Sequence, residues 1–252
     1  GGGTSGQMYV TSAGNVSATG AVLSGNDVQL TTTGGASITA IGTINGGAVA
    51  KLITSGQGSV TVNAGESIRA TNVTVDTPTL NIVGAGSILS NTNGGSVTLQ
   101  NNYSNVGVNN TPGVIAISAG NTAVVGATGV NNVATITAGI ANGGVTFTGG
   151  TKLTFNPEAN TPGAGLTGAV NLNGDVTLSD GGVAGAGAQV TIKNGATLTV
   201  TGSNMKLGDG AKITTTKNNT TLTFDTNTVN LGAGTGVTPV TATIQSAGGS
   251  IQ

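Results

Sequence analysis

The stretch Gln189–Gly232, QVTIKNGATLTVTGSNMKLGDGAKITTTKNNTTLTFDTNTVNLG, carries the pattern on which the predicted fold rests. Its apolar residues fall two positions apart in short bursts, which are Val190/Ile192, Leu198/Val200, Met205/Leu207, Leu222/Phe224 and Val229/Leu231. A period of two puts successive side chains on opposite faces of a strand, so each burst predicts a strand with one buried face. The intervening Asn-Gly, Gly-Ser-Asn, Gly-Asp-Gly and Lys-Asn-Asn segments favour tight turns.

Strands as short as these cannot bury a core alone, so they must stack on neighbours of the same kind. The same rhythm runs through residues 21–100, and two or three strands with their turns give units of about 16–25 residues, which is typical of stacked repeats. We therefore predict an all-β parallel β-helix (β-solenoid) of about a dozen coils and roughly 60 Å in length. The alternative is tandem β-sandwich domains, because strand spacings of about 8–12 residues are typical of sandwiches too.

The predicted domain organisation is an N-terminal arm or first strand at residues 1–20, followed by one continuous solenoid at 21–252. Asparagine- and proline-containing segments predict loops near residues 101–113 and 156–168, since proline cannot donate to a central ladder. These loops are also the points at which a pair of sandwiches would divide. Thr148-Gly149-Gly150-Thr151, between two apolar-x-Phe bursts, predicts either a hairpin or a corner.

The amino-acid composition excludes several classes of function. Seven Lys+Arg against eight Asp+Glu leave a net charge of −1, so no basic surface is expected to bind nucleic acid. No apolar run approaches the roughly 18 residues of a membrane helix, so no membrane insertion is expected. The absence of cysteine fits a protein exported from a bacterium or archaeon better than a small animal secreted domain.

Neither histidine nor cysteine is present, which excludes the usual nucleophilic triads and zinc sites. The eight carboxylates are Asp27, Glu66, Asp76, Glu158, Asp175, Asp180, Asp209 and Asp225. Asp175, Asp209 and Asp225 could align on one face only by coincidence of coil lengths, so we expect the carboxylates in turns or at the solvated surface. Gly208-Asp209-Gly210 and residues 179–182 are superficially similar to calcium-binding repeats, but the repeated G-G-x-G-x-D phrase does not occur. No catalytic, cofactor-binding or metal residue is therefore predicted.

The three phenylalanines, Phe147, Phe155 and Phe224, each end an aliphatic-x-Phe burst. Filling of the core is the expected role of all three. A platform for carbohydrate is the functional alternative.

Several runs share a G-x-V-T-L style, including SGNDVQLTTTGGASITA (24–40), GSVTVNAGESI (58–68), GGSVTLQNN (94–102), NGDVTLSDGG (173–182) and NGATLTVTG (194–202). In this respect the chain resembles the passenger repeats of filamentous haemagglutinins and autotransporter adhesins. The resemblance implies a right-handed parallel β-helix on a bacterial surface. S-layer proteins are similar in being rich in threonine and free of cysteine. This similarity implies that the chain could instead form a surface lattice.

Both terminal segments, GGGTSGQMYV and VTATIQSAGGSIQ, lack charge, and the first and last charged residues are Asp27 and Asp225. Solenoids normally close their ends with polar caps or join them to another molecule. We therefore predict a non-enzymatic extracellular or cell-surface structural protein that associates with itself, head to tail, into a fibre or surface layer. The alternatives are an adhesin segment that binds cell-surface glycans or proteins and, third, a polysaccharide-active enzyme.

Overall fold

The computed structural model describes residues 6–92, 94–102, 113–120, 123–127, 134–139, 144–156, 169–179, 187–192, 197–208, 210–215, 222–231 and 243–245. Within these ranges the regular structure consists of strands β1 (Gln7–Ser12), β2 (Val16–Thr32), β3 (Ile38–Ile53), β4 (Ser59–Val62), β5 (Ser67–Ala70), β6 (Asn72–Asp76), β7 (Thr79–Ile82), β8 (Ser87–Ser90), β9 (Gly95–Gln100), β10 (Val114–Ala119), β11 (Ala123–Ala127), β12 (Ala134–Ala138), β13 (Gly144–Phe147), β14 (Lys152–Asn156), β15 (Ala169–Asn173), β16 (Asp175–Leu178), β17 (Gln189–Ile192), β18 (Thr197–Leu207), β19 (Lys212–Thr215), β20 (Leu222–Leu231) and β21 (Thr243–Gln245). Among the described residues no helix is long and apolar enough to span a membrane.

Each strand pairs in parallel with the strand one coil further along the chain. β4 pairs with β7, β7 with β10, and β10 with β13, so the partner of a short strand is the third strand after it. Three strands therefore complete one coil. This parallel register confirms the predicted β-helix and excludes the β-sandwich alternative, which would require antiparallel sheets packed face to face. The right-handed sense stays a prediction.

The three strands of a coil build three faces of the stack, here named faces A, B and C. Face A is traced by the aligned positions Val16, Ile38, Val60, Leu80, Ile117, Phe147, Leu178, Leu207 and Leu231. Face B is traced by Leu23, Ile44, Ile68, Ile88, Val125, Phe155, Ile192 and Thr215, beyond which β21 adds to β19. Face C is traced by Met8, Val28, Ala50, Val73, Val97, Ile136, Val170, Leu198 and Leu222.

The described residues form nine rungs, fewer than the predicted dozen coils. Twenty-two residues separate Val16 from Ile38, but 37 separate Leu80 from Ile117. Strands end at Gln100 and Asn156 and resume at Val114 and Ala169, while most of the two predicted loops lies outside the described residues. Because those segments lengthen the coils without adding rungs, the stack is about 43 Å long at about 4.8 Å per rung.

The core is a narrow column of aliphatic side chains, most of them completely buried. Phe147 and Phe155 are also completely buried and meet edge to face, with ring centroids 6.2 Å apart. Burial of each large side chain contributes about 1.5–3 kcal/mol. The prediction of core filling is confirmed for these two residues, whereas the side chain of Phe224 lies outside the described part of the structure.

Thr148–Thr151 forms a corner, and the hairpin alternative is wrong. β13 lies on face A and β14 on face B, and each pairs with strands of the neighbouring coils rather than with the other. Gly150 takes a φ of 78°, a conformation that glycine adopts at little cost. The hydroxyl of Thr151 donates to the carbonyl oxygen of Ile117 at 3.3 Å and ties the corner to the coil below.

The N-terminal strand β1 adds to face C by pairing with residues 27–32 of β2. The predicted division after residue 20 falls inside β2, which winds through all three faces. Residues 1–5 lie outside the described residues.

Candidate functional site

Four carboxylates of the described residues, those of Asp27, Glu66, Asp76 and Asp175, accept hydrogen bonds from a neighbouring rung. Asp76 is only 8% exposed, and its carboxylate accepts from the backbone N–H of Asn102 at 2.8 Å, from Asn102 Nδ2 at 2.8 Å and from Gln100 Nε2 at 3.0 Å. These three bonds use most of its acceptor capacity. Asp76 therefore holds the chain where it leaves β9, which is a structural role.

Asp175 repeats this arrangement on face A. Its carboxylate accepts from the backbone N–H and from Nδ2 of Asn204, both at 3.0 Å, one rung further along. Asp225, by contrast, lies on face C. It is aligned with Thr201 on the preceding rung, and Thr201 is aligned with Asn173 one rung earlier. The fold therefore does not bring Asp175 and Asp225 together as a pair.

The other acids do not assemble a site within the described residues. Asp27 accepts from Asn26 Nδ2 at 3.2 Å and from Gln7 Nε2 at 3.4 Å, and Glu66 accepts from the hydroxyl of Thr43 at 3.3 Å. The described part of the chain contains no group of three or more acidic side chains that could hold a metal ion. Glu158, Asp180 and Asp209, with the calcium-like phrase around Asp209, lie outside the described residues.

A buried polar column, which was not predicted from the sequence, runs along the corner where face C ends. Thr32, Thr54, Thr77 and Asn101 are each at most 4% exposed. The hydroxyls of Thr54 and Thr77 share a hydrogen bond of 2.7 Å, and Thr77 Oγ1 donates to the carbonyl oxygen of Thr79 at 3.0 Å. Asn101 Nδ2 donates to the carbonyl oxygen of Val114 at 2.9 Å. The signal in the sequence is a small polar residue two positions after the last inward aliphatic residue of each face C strand from β2 to β9.

The N-terminal end of the stack leaves apolar core positions partly exposed. Met8 and Val10 are aligned with the buried Val28 and Leu30, yet they are themselves only half-buried. The same holds for Val16 and Leu23, whose partners on the next rung, Ile38 and Ile44, are completely buried. Burial is lost because no described residue stacks beyond this rung.

Two of the four large hydrophobic side chains that are exposed within the described residues also lie at this end, Tyr9 at 58% and Val22 at 69% exposure. β1 pairs with β2 alone, so one edge of β1 has no strand beside it in the described structure. Such an edge presents a row of N–H and C=O groups to any strand that can add to it. The end is therefore an apolar, uncharged and unpaired strand edge.

At the C-terminal end, too, an apolar position is only partly buried in the part that the structure describes. Ile244 of β21 is aligned with the buried Ile213 but is only partly buried. Residues 222–225 of β20 pair with β18 on one side and with no described strand on the other. The two ends together are the strongest candidate for a functional surface among the described residues.

Comparisons with known proteins found no matching family model, no matching curated protein and no matching solved structure.

Proposed function

We propose that this chain is a structural protein that associates with itself, head to tail, into a fibre or surface layer outside the cell. The observation that carries the proposal is the loss of burial at the terminal rungs, where Met8, Val10, Val16 and Leu23 continue buried columns but remain half-exposed. A second copy stacked on this end would bury these side chains and pair the open edge.

The distribution of charge supports the same function. Natural strand edges avoid association through charged residues, proline or covering segments, and solenoids carry polar caps. Positions 1–26 of the sequence carry no charged side chain, so the described N-terminal edge presents no side-chain charge that would repel a second copy. The lack of cysteine fits export from a bacterium or archaeon, and it supports an assembly outside the cell or at its surface as part of this proposal.

The test is negative-stain electron microscopy and sedimentation of the purified protein, compared with Val16→Lys. A lysine at this inward position of the first rung places a charge in the proposed contact, so filaments should shorten or disappear. Ser118→Lys is the matched control, because Ser118 is exposed on β10 in the middle of the stack. Monodisperse short rods from the unmodified protein, or equal filament lengths for both variants, would refute the proposal.

An adhesin segment is the second candidate, and its support is the parallel β-helix together with the G-x-V-T-L runs. Cell-surface glycans or proteins would then be the partners, and neighbouring parts of a longer chain would cover the two ends. Binding of the unmodified protein to an array of cell-surface glycans, in the absence of filaments, would favour this candidate over self-assembly.

A further inference from the structure

The structure describes two asparagine–glycine pairs, and the fold holds them differently. Such pairs occur in the sequence at asparagines 45, 93, 142, 173 and 194, of which Asn45 and Asn173 lie within the described residues. Glycine has no side chain to shield its own backbone nitrogen, so that nitrogen can approach the side-chain carbonyl carbon of the preceding asparagine. Whether a pair reacts in the folded chain therefore depends on how its backbone is held.

The pair at Asn45 is held inside the sheet. Asn45 lies within β3 and is aligned with Ser24 on one neighbouring rung and with Arg69 on the other. Gly46 is closely packed, because a Cβ at this position would collide with the carbonyl oxygen of Val49. Attack on the Asn45 amide requires rotation of this backbone, and pairing on both sides opposes that rotation.

The pair at Asn173 lies at the end of a strand. Asn173 is the last residue of β15, its side chain is half-buried on the outer side, and Gly174 forms a bend before β16 with a φ of 78°. The N–H of Gly174 donates to no acceptor among the described residues. Strand ends open locally at lower cost than strand centres, so this backbone can rotate more readily than that of Asn45.

A hydroxyl group from the next rung contacts the amide of Asn173. Thr201 Oγ1 donates to Asn173 Oδ1 at 3.2 Å. Negative charge develops on this oxygen when a nucleophile adds to the amide carbon, and a donor placed at such an oxygen stabilises the charge. The contact belongs to the folded chain, because 28 residues separate Thr201 from Asn173.

We infer that Asn173 is a site of spontaneous deamidation, with the Gly174 nitrogen as nucleophile and the Thr201 hydroxyl as donor to the developing oxyanion. The Gly174 nitrogen bonds to Cγ of Asn173, the Cγ–Nδ2 bond breaks, and Nδ2 leaves as ammonia with the proton of the Gly174 N–H. Water then opens the succinimide ring to give aspartate or isoaspartate. Either product adds a carboxylate two residues before Asp175, and isoaspartate also lengthens the main chain at the residue aligned with Thr201. This modification does not depend on self-association.

Mass spectrometry of tryptic peptides, after incubation of the natural protein in slightly alkaline buffer, measures the conversion of amide to the heavier acid. Cleavage after Lys152 and Lys193 releases a peptide in which Asn173–Gly174 is the sole asparagine–glycine pair, and cleavage after Lys51 releases Asn45. In the folded protein, conversion at Asn173 is expected to be at least several-fold faster than at Asn45. In urea this difference should disappear. Conversion at Asn173 that is no faster than at Asn45 in the folded protein, or a difference that persists in urea, would overturn the inference.

Thr201→Val tests the hydroxyl, and Thr201→Ser, which keeps it, is the matched control. Loss of one hydrogen bond to the oxyanion should slow conversion at Asn173 in the folded protein by about 2- to 13-fold for Thr201→Val. Thr201→Ser should convert at the natural rate, and neither change should alter the rate in urea. An unchanged rate for Thr201→Val, or equal slowing in both variants, would overturn the role of Thr201. Circular dichroism establishes that each variant folds, and the comparison of Asn173 with Asn45 in the natural protein requires no variant.

Discussion

The hydrogen bond between Thr54 and Thr77 gives the sharpest test of how the core is held. Both side chains are at most 2% exposed, and their hydroxyls lie 2.7 Å apart. Thr77→Val keeps the shape of the side chain but leaves the Thr54 hydroxyl and the Thr79 carbonyl without this partner. Because a buried polar group left unsatisfied costs about 1–3 kcal/mol, we expect Thr77→Val to lower the free energy of unfolding by that amount.

The double variant distinguishes a polar pair from simple packing. Replacing both partners by apolar groups of the same shape removes the unsatisfied hydroxyl, so Thr54→Val/Thr77→Val should cost less than the sum of the two single changes. We expect a coupling free energy of about 0.5–3 kcal/mol. Thr98→Val, at a half-buried position on the outside of β9, is the control and should stay within about 0.5 kcal/mol of the natural protein.

Urea unfolding followed by far-ultraviolet circular dichroism measures these differences, since the chain has no tryptophan. It should be carried out at a concentration where sedimentation shows single rods, so that association does not contribute to stability. Additive single changes, within about 0.5 kcal/mol, would refute the claim that the two hydroxyls act as a pair. An unchanged denaturant slope is required for the comparison, because a changed slope indicates loss of cooperativity.

Three further changes test the packing and the Asp76 contacts by the same unfolding measurement. Phe155→Ala should cost about 3–5 kcal/mol, because it empties a buried site and removes the edge-to-face contact with Phe147; a cost below about 1 kcal/mol would contradict its place in the core. Gly126→Ala should cost about 1–3 kcal/mol, because the new Cβ would collide with the backbone of Asn156, whereas Gly14→Ala, with only Ser12 Oγ within 4 Å, should be neutral within about 0.5 kcal/mol. Asp76→Ala should cost about 1.5–3 kcal/mol through the lost charge-assisted bonds from Asn102 and Gln100, and no change would show that those bonds are not made in solution.

Much of the fold could be predicted from the sequence because strand alternation and turn chemistry are local properties. Bursts such as Val190/Ile192 and Leu198/Val200 specify which residues face inward, and both pairs are buried in β17 and β18. Because strands this short cannot bury a core alone, stacking was expected, and the parallel β-helix was predicted on that basis. The carboxylates were expected in turns or at the solvated surface; Asp175 is exposed, whereas Asp76 is buried by its contacts with Gln100 and Asn102, which lie 24 and 26 residues further along the chain.

The number of rungs and the pairing across rungs depend on distances between residues far apart in the chain. Leu80 and the residue aligned with it on the next rung, Ile117, are 37 residues apart in the chain, whereas Val60 and Leu80 are 20 residues apart. The sequence of the connecting segments does not indicate which residues on the two rungs are aligned. Thr54 and Thr77 likewise have no local sign of being partners, since 23 residues separate them. Local sequence was sufficient to predict that short strands stack, because the alternation of side chains follows from backbone geometry alone. Which residues meet across neighbouring rungs could be learned only from the folded chain, because that register depends on the summed lengths of the coils between them.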